Sequence, residues 1–356
     1  MKTYIFLVRT ISRIGGAELY LSSKIKFLED NGWNCHVFFH EEPNDVLIPD
    51  LKKYIPNYNF DLRIPIANVS HKSRNTTINN IKNISHLSKD DKIIIESFTL
   101  RVATWGEYIA KEFNAKHFIY YIDEHISPQT VQMDDFIHFK ISQKLFYCIK
   151  DEVLMRYVPD EEKRKELTLP AVGCSSNNVL DIETNLGQDI LEHDLNIFSI
   201  GRIEKPYFNQ MVDVVCDFAS KHSDAEFNFI IIGDTLNQSL KTIIFNKIKA
   251  IPNLNLIHLG YVWPIPRTLL KKATVILASA GSVVVGYSEN IPTIAIDSND
   301  YEAIGIFGHN TINTLFRTSE DCKYTLYNYL KWIMIDKKKF RLDLIKPRFG
   351  AVSYTH

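Results

Sequence analysis

The chain has little of what would commit it to a special environment. Its 356 residues include five cysteines, Cys35, Cys148, Cys174, Cys216 and Cys322. They are odd in number and scattered without Cys-x-x-Cys spacing, so neither a disulfide framework nor a zinc site is expected. A reducing cytoplasm is the expected compartment. No stretch approaches the roughly 18 consecutive apolar residues of a membrane span, which limits membrane contact to a peripheral one. The opening run MKTYIFLVRT is interrupted at Arg9, short of the roughly 7 apolar residues of a signal-peptide core, and reads as a first strand. Without secretion, the glycosylation patterns at Asn68 and Asn75 are chance matches. A charge excess is missing too. With 41 Lys and Arg against 42 Asp and Glu, a formal net charge of -1, the chain is not built to neutralise nucleic acid.

What is present is the balance of a soluble globular enzyme: 45% apolar, 12% aromatic and 23% charged residues. The length exceeds one ordinary core, so two domains are expected. Short apolar runs alternate with helical patterns. Strands are expected over 3–8, 35–39, 92–96, 117–122 and 152–157, with helices after the first and third and another around 141–149. A second series has strands at 195–200, 227–233, 254–258 and 274–278, helices near 211–218, up to about 250 and near 266–272, and a terminal helix over 324–334. The reading is α/β: two tandem Rossmann-like, doubly wound domains facing across a cleft. Residues 1–165 form the first and 166–193 a linker rich in charge, Ser and Asn. Residues 194–323 form the second domain, and 324–356 a C-terminal helix and tail. The basic tail is a solvated chain end, or alternatively a membrane-surface contact.

The stretch 273–297, ATVILASAGSVVVGYSENIPTIAID, organises the second series. It reads as strand, tight turn, helix, loop and strand. A strand that ends in small residues and opens a helix brings backbone N–H groups and a positive dipole end to one point, suited to phosphate. The alternative is a plain connection with small residues for packing. Arg202 and Lys205 follow another strand's carboxyl end, one a planar fork of donors, the other a point charge, together suited to a diphosphate. Gly15-Gly16 precedes the first helix, where a side chain would block a ligand from the backbone. His125 closes the triplet Asp123-Glu124-His125 at a strand's carboxyl end, with a side chain that titrates near neutrality.

These residues in this order resemble the GT-B glycosyltransferases, and within them the retaining family 4. The matching elements are Gly15-Gly16-Ala17-Glu18, His125, the segment ending at Arg202, Gly233-Asp234, Gly260-Tyr261-Val262, and Ser279 leading to Ile291-Pro292. The resemblance implies a nucleotide-sugar donor, a UDP-sugar, on the second domain and a saccharide or lipid-linked acceptor on the first. It implies that Gly16 offers its N–H to the phosphates and Arg202 neutralises the diphosphate. The backbone near Val262 would face the base, and Ser282 would stand by the phosphates. His125 would orient the donor sugar or acceptor. No metal or other cofactor is expected, because the chain contains no Asp-x-Asp, the pattern by which the other main transferase fold commonly holds a divalent ion.

The chain departs from the family pattern at three points. The pair of glutamates eight positions apart is missing: Ser282 and Val285 stand near those places, and Glu289, one helical turn on, is left to reach a ribose hydroxyl. Tyr207 replaces the lysine expected five residues after Arg202, with Lys205 as the substitute. The region after Met334 is short. The expected function is sugar transfer in surface polysaccharide building. The alternatives are a catalytically weak GT-B protein that binds nucleotide or glycan as a partner, and a nucleotide-sugar epimerase.

Overall fold

Short runs such as IIIES and FNFIII become central parallel strands, because side chains on both faces find cover. The computed structural model describes residues 1–344 except 13, 89, 124, 125, 150, 170–178, 189, 191–194 and 322. The chain divides into two compact units, Met1–Val172 and Gly173–His356.

Unit 1 runs β1 (Lys2–Val8), α1 (Gly16–Asp30), β2 (Asn34–Phe39), α2 (His71–Ser85), β3 (Lys92–Ser97), α3 (Leu100–Phe113), β4 (Lys116–Tyr121), α4 (Val131–Ser142), β5 (Phe146–Cys148) and α5 (Glu161–Glu166). Its sheet is parallel, in the order β2-β1-β3-β4-β5. On one face Ile5, Leu7, Ile93 and Ile95 pack with Val102, Trp105 and Ile109 of α3. Each such aliphatic side chain contributes about 1.5–3 kcal/mol on full burial.

Unit 2 runs β6 (Val179–Leu180), β7 (Asn196–Ile200), α6 (Pro206–Lys221), β8 (Phe227–Ile232), α7 (Gln238–Lys249), β9 (Leu254–Gly260), β10 (Ile265–Pro266), α8 (Arg267–Leu270), β11 (Val275–Ala278), α9 (Gly281–Ser288), β12 (Thr293–Ile296), β13 (Ala303–Ile306) and α10 (Leu326–Leu330). The main sheet has the order β13-β12-β11-β7-β8-β9, with β13 antiparallel to β12 and the other pairs parallel. Successive strand residues alternate between two cores: Ile197, Phe229 and Leu277 face α6 and α10, while Phe198, Ile230 and Ile276 face Leu269 and Val283.

Two sequence expectations fail in unit 1. The helix placed around 141–149 ends earlier: Lys144 takes φ 53, and Phe146–Cys148 pairs with Ile119–Tyr121 as β5. The strand placed at 152–157 is a 3-10 turn, Asp151–Leu154. Its apolar residues Val153, Leu154, Tyr157 and Val158 are buried at helical, not alternating, spacing. α2 and β13 were not foreseen; α2 is polar, with few buried residues. No helix among the described residues is long and apolar enough to cross a membrane.

Candidate functional site

In unit 2 the chain winds from β7 through β8 to β9 on one side, then returns to β11 and β12 on the other. The winding therefore reverses between β7 and β11. Open α/β sheets bind ligands at the carboxyl ends of the strands flanking such a reversal. Ala278 is paired with Ile200, so Gly201-Arg202 and Ser279-Ala280 leave the sheet at the same level on adjacent strands. The sheet thus brings together two groups that the sequence places far apart.

After β7 the chain makes a turn, with Lys205 N–H donating to Arg202 C=O at 3.2 Å and Ile203 N–H to Asp234 C=O at 3.3 Å. This close approach depends on Gly233. Its φ is 143, and a Cβ there would lie 1.9 Å from the Gly201 carbonyl oxygen, so no other residue fits. Arg202 is held by a neighbouring carboxylate. Its Nη1 lies 3.4 Å from Glu204 Oε1, with 38% of the side chain exposed. A pair this open is worth at most about 1 kcal/mol and yields readily to a stronger anion. Lys205 is the half-buried N-cap residue of α6.

After β11 the turn is strained. Ala280, the N-cap of α9, sits at φ 57, ψ -137 without a glycine's freedom, a conformation that costs about 1–3 kcal/mol. Ser279 is buried, with its hydroxyl 3.2 Å from that of Ser298. Gly281 is exposed, and no atom of the described residues would meet a Cβ there within 4 Å. The amides of Gly281 and half-buried Ser282 belong to the helix's first turn, where no preceding turn supplies carbonyls to accept from them. The neighbouring Ala280 N–H is already committed, donating to Thr314 C=O at 2.7 Å.

That contact reveals a part of the site the sequence did not: the segment 311–317. Ser298 N–H donates to Leu315 C=O, and Arg317 N–H to the buried Asp297 carboxylate. Asp321 accepts from Thr311 Oγ1, Asn313 Nδ2 and Thr318 N–H. These hydrogen bonds fix the segment beside the turn.

Val262 follows β9 on the same edge, half-buried against the core. Beside it, Tyr261 Oη donates to Asp234 C=O at 3.1 Å. Burial pushes the Asp234 carboxyl up, but the hydrogen bonds from Lys241 and the Thr235 amide, with His258 nearby, hold it below the usual carboxylate range.

Glu289 does not join this group. It is the C-cap of α9, the opposite end from Ser282, and its Oε2 accepts from Arg267 Nε at 2.8 Å. Arg267 also pairs with Asp181. A helix that starts at the carboxyl edge of β11 carries its far end away from that edge, so the ribose role read for Glu289 fails on geometry. Val285 is buried in the core.

In unit 1, Gly16 is exposed as the first residue of α1, and among the described residues nothing lies within 4 Å of where its Cβ would be. The chain itself does not require glycine there. His125 lies outside the described residues; Asp123, two before it, is exposed and touches the buried Tyr121, whose hydroxyl is pushed up by burial and by that carboxylate.

No protein-family model and no curated protein matches the chain. Among solved structures it is similar to a glycosyltransferase from Rickettsia africae ESF-5, at 13% identity over 93% of this chain and 88% of that one, TM-score 0.62. It is similar to Anabaena Alr3699/HepE in complex with UDP and glucose, at 14% identity over 95% and 91%, TM-score 0.61. A UDP-N-acetylglucosamine 2-epimerase is a third, at 12% identity over 95% and 88%, TM-score 0.53. At such identities the likeness is one of fold, and the fold is two Rossmann-like domains in tandem, that of GT-B proteins.

Proposed function

We propose that the chain is a glycosyltransferase of the retaining family 4 type, moving a sugar from a UDP-sugar to a saccharide or lipid-linked acceptor in surface polysaccharide building. The observation that carries this reading is that Arg202 and the α9 turn leave paired, adjacent strands at the reversal point of unit 2. Breaking the bond between the sugar and the diphosphate leaves negative charge on the departing oxygen. Arg202 would exchange Glu204 for the phosphates, Lys205 would add a second cation, and the Gly281 and Ser282 amides would donate along the helix dipole. In this reading no metal takes part. The backbone at Val262 would face the base, Gly16 would offer its N–H to the donor's phosphates, and His125 would orient the donor sugar or the acceptor. The solved HepE, which holds UDP and glucose, supports UDP as the nucleotide.

The second reading is a catalytically weak binding protein. It is favoured by what stands near the places of the family's glutamate pair: Val285 is buried and Glu289 is tied to Arg267. One experiment separates the two readings. Purified protein is offered a panel of nucleotide sugars, with and without saccharide acceptors and with EDTA, while release of nucleoside diphosphate is followed. A transferase releases it only with an acceptor and does so despite EDTA. Binding without release supports the second reading, and release without any acceptor supports an epimerase, to which the fold is also similar.

A further inference from the structure

Unit 1 has a reversal point of its own, between β1 and β3. The groups around it are built for an anion. α3 begins there, and its first turn runs against the usual preferences: the N-cap Thr99 makes no side-chain cap hydrogen bond and the turn holds no acidic residue. Its second residue is the exposed Arg101, a cation at the positive end of the helix dipole. An isolated helix would be weakened by that arrangement. A bound anion would reverse its sign.

The neighbouring strand ends supply an independent observation. His40 N–H donates to Arg9 C=O at 3.2 Å and Phe98 N–H to Leu7 C=O at 3.1 Å, so Arg9, His40 and the segment 98–101 leave the sheet side by side. His40 is only 5% exposed, and its buried Nδ1 has no hydrogen-bond partner among the described residues. Burial and the charges of Arg101 and Arg9 hold this imidazole below its usual pKa against the pull of Glu41. Ser12, also 5% exposed and on the way from β1 to α1, has a buried hydroxyl without a partner among the described residues. Glu41 is engaged by Arg9, Nε to Oε1 at 2.6 Å. Buried polar atoms without partners are uncommon in folded chains, and each asks for a missing partner. An oxyanion with a protonated or esterified oxygen at this edge would accept from first-turn amides and Arg101 and would offer or take a proton at the imidazole, with the hydroxyl of Ser12, on the loop that leaves β1, as a further donor.

We propose that the carboxyl edge of unit 1, at Arg101, His40 and Ser12, binds a phosphate group, and that this phosphate is carried by the acceptor. The anion site stands on the observations above. Its assignment to the acceptor rests on the glycosyl-transfer reading.

The test is titration calorimetry with inorganic phosphate in the Arg202→Ala background, which removes the guanidinium proposed for the donor site. Adding Arg101→Ala should weaken phosphate binding by roughly tenfold or more, the equivalent of one hydrogen bond to a charged group. The melting temperature should not move, because Arg101 is exposed. Ser12→Ala is the second variant and should weaken binding in the same direction. Glucose 1-phosphate should compete with phosphate, and glucose should not. Equal phosphate affinity with and without Arg101, or no phosphate binding in the Arg202→Ala protein, overturns the proposal. UDP binding by the unaltered protein is measured alongside. Its absence with Arg101-dependent phosphate binding intact would sink the donor reading alone.

Discussion

His117 Nδ1 stands 3.2 Å from Glu107 Oε2, and the other ring nitrogen is 3.0 Å from the Ser97 hydroxyl. The line Ser-His-Glu has the spacing of a nucleophilic triad. It cannot serve as one. Ser97 and His117 are buried, and Gly106 covers them so closely that a Cβ there would lie 2.5 Å from His117 Nε2. Lys140, also buried, reaches the same glutamate and donates to the His117 carbonyl. The network ties α3 and α4 to the sheet.

This network makes stability acid-sensitive. Burial lowers the His117 pKa to about 4 from 6.5, and its hydrogen bond to Glu107 only partly opposes that. The unfolded chain therefore gains a proton near pH 6.5 that the folded chain refuses until about 4. Stability falls as pH drops through that window. Glu107, lowered to about 2 by His117 against its own burial and helped by Lys140, extends the loss further down. Melting temperatures of wild type and His117→Gln between pH 7 and pH 4 check this: the variant should show a shallower slope, and identical slopes would remove His117 as the cause.

In the proposed reaction the Arg202 fork grips the diphosphate in the bound donor and more strongly as charge builds on the departing oxygen, so its fork matters as well as its charge. Arg202→Lys should keep weak UDP binding with reduced transfer, while Arg202→Ala should lose about 2–4 kcal/mol of transition-state stabilisation, the scale for one such group. Steady-state kinetics of both on the identified donor decide it. Near-wild-type transfer by the alanine variant would remove Arg202 from the site.

For His125 the expectation is a role at the sugar. Its replacement by alanine should lower turnover and leave the melting temperature in place. A parallel fall in both would mark it as a packing residue.

The left-handed Ala280 gives a prediction of opposite sign to most substitutions. Glycine relieves strain of about 1–3 kcal/mol while adding somewhat less in unfolded-chain entropy, so Ala280→Gly should stabilise by up to about 2 kcal/mol. A valine there should destabilise. Chemical denaturation of the two variants measures both, and a less stable glycine variant would mean that Ala280 is not strained in solution.

Glu289 and Arg267 form a structural pair. Glu289→Gln should leave the UDP dissociation constant unchanged and lower the melting temperature slightly. Calorimetry with UDP checks this, and a tenfold loss of affinity would return Glu289 to the donor site.

The sequence by itself determined the two alternating series and most of their strands. Runs such as IIIES, FNFIII and VILA leave no polar face to put in water, so a sheet covered on both sides is the structure that suits them. It also marked Arg202 and the turn before Ser282, since each follows such a run directly. β5 was hidden because three residues are too few to show a period, and only pairing with β4 makes FYC a strand. Parallel pairing in unit 2 decided what local pattern could not: that Ile200 and Ala278 are partners, and hence that Arg202 and the α9 turn share an edge. The direction of α9 decided against Glu289, because spacing along a chain gives a residue's distance from a turn but not the end of the sheet it faces. His40, Ser12 and Arg101 carry no motif at all. They come to one edge of the sheet only when strand order sets β1 between β2 and β3, since register and burial are properties of the packed sheet and not of any segment in it.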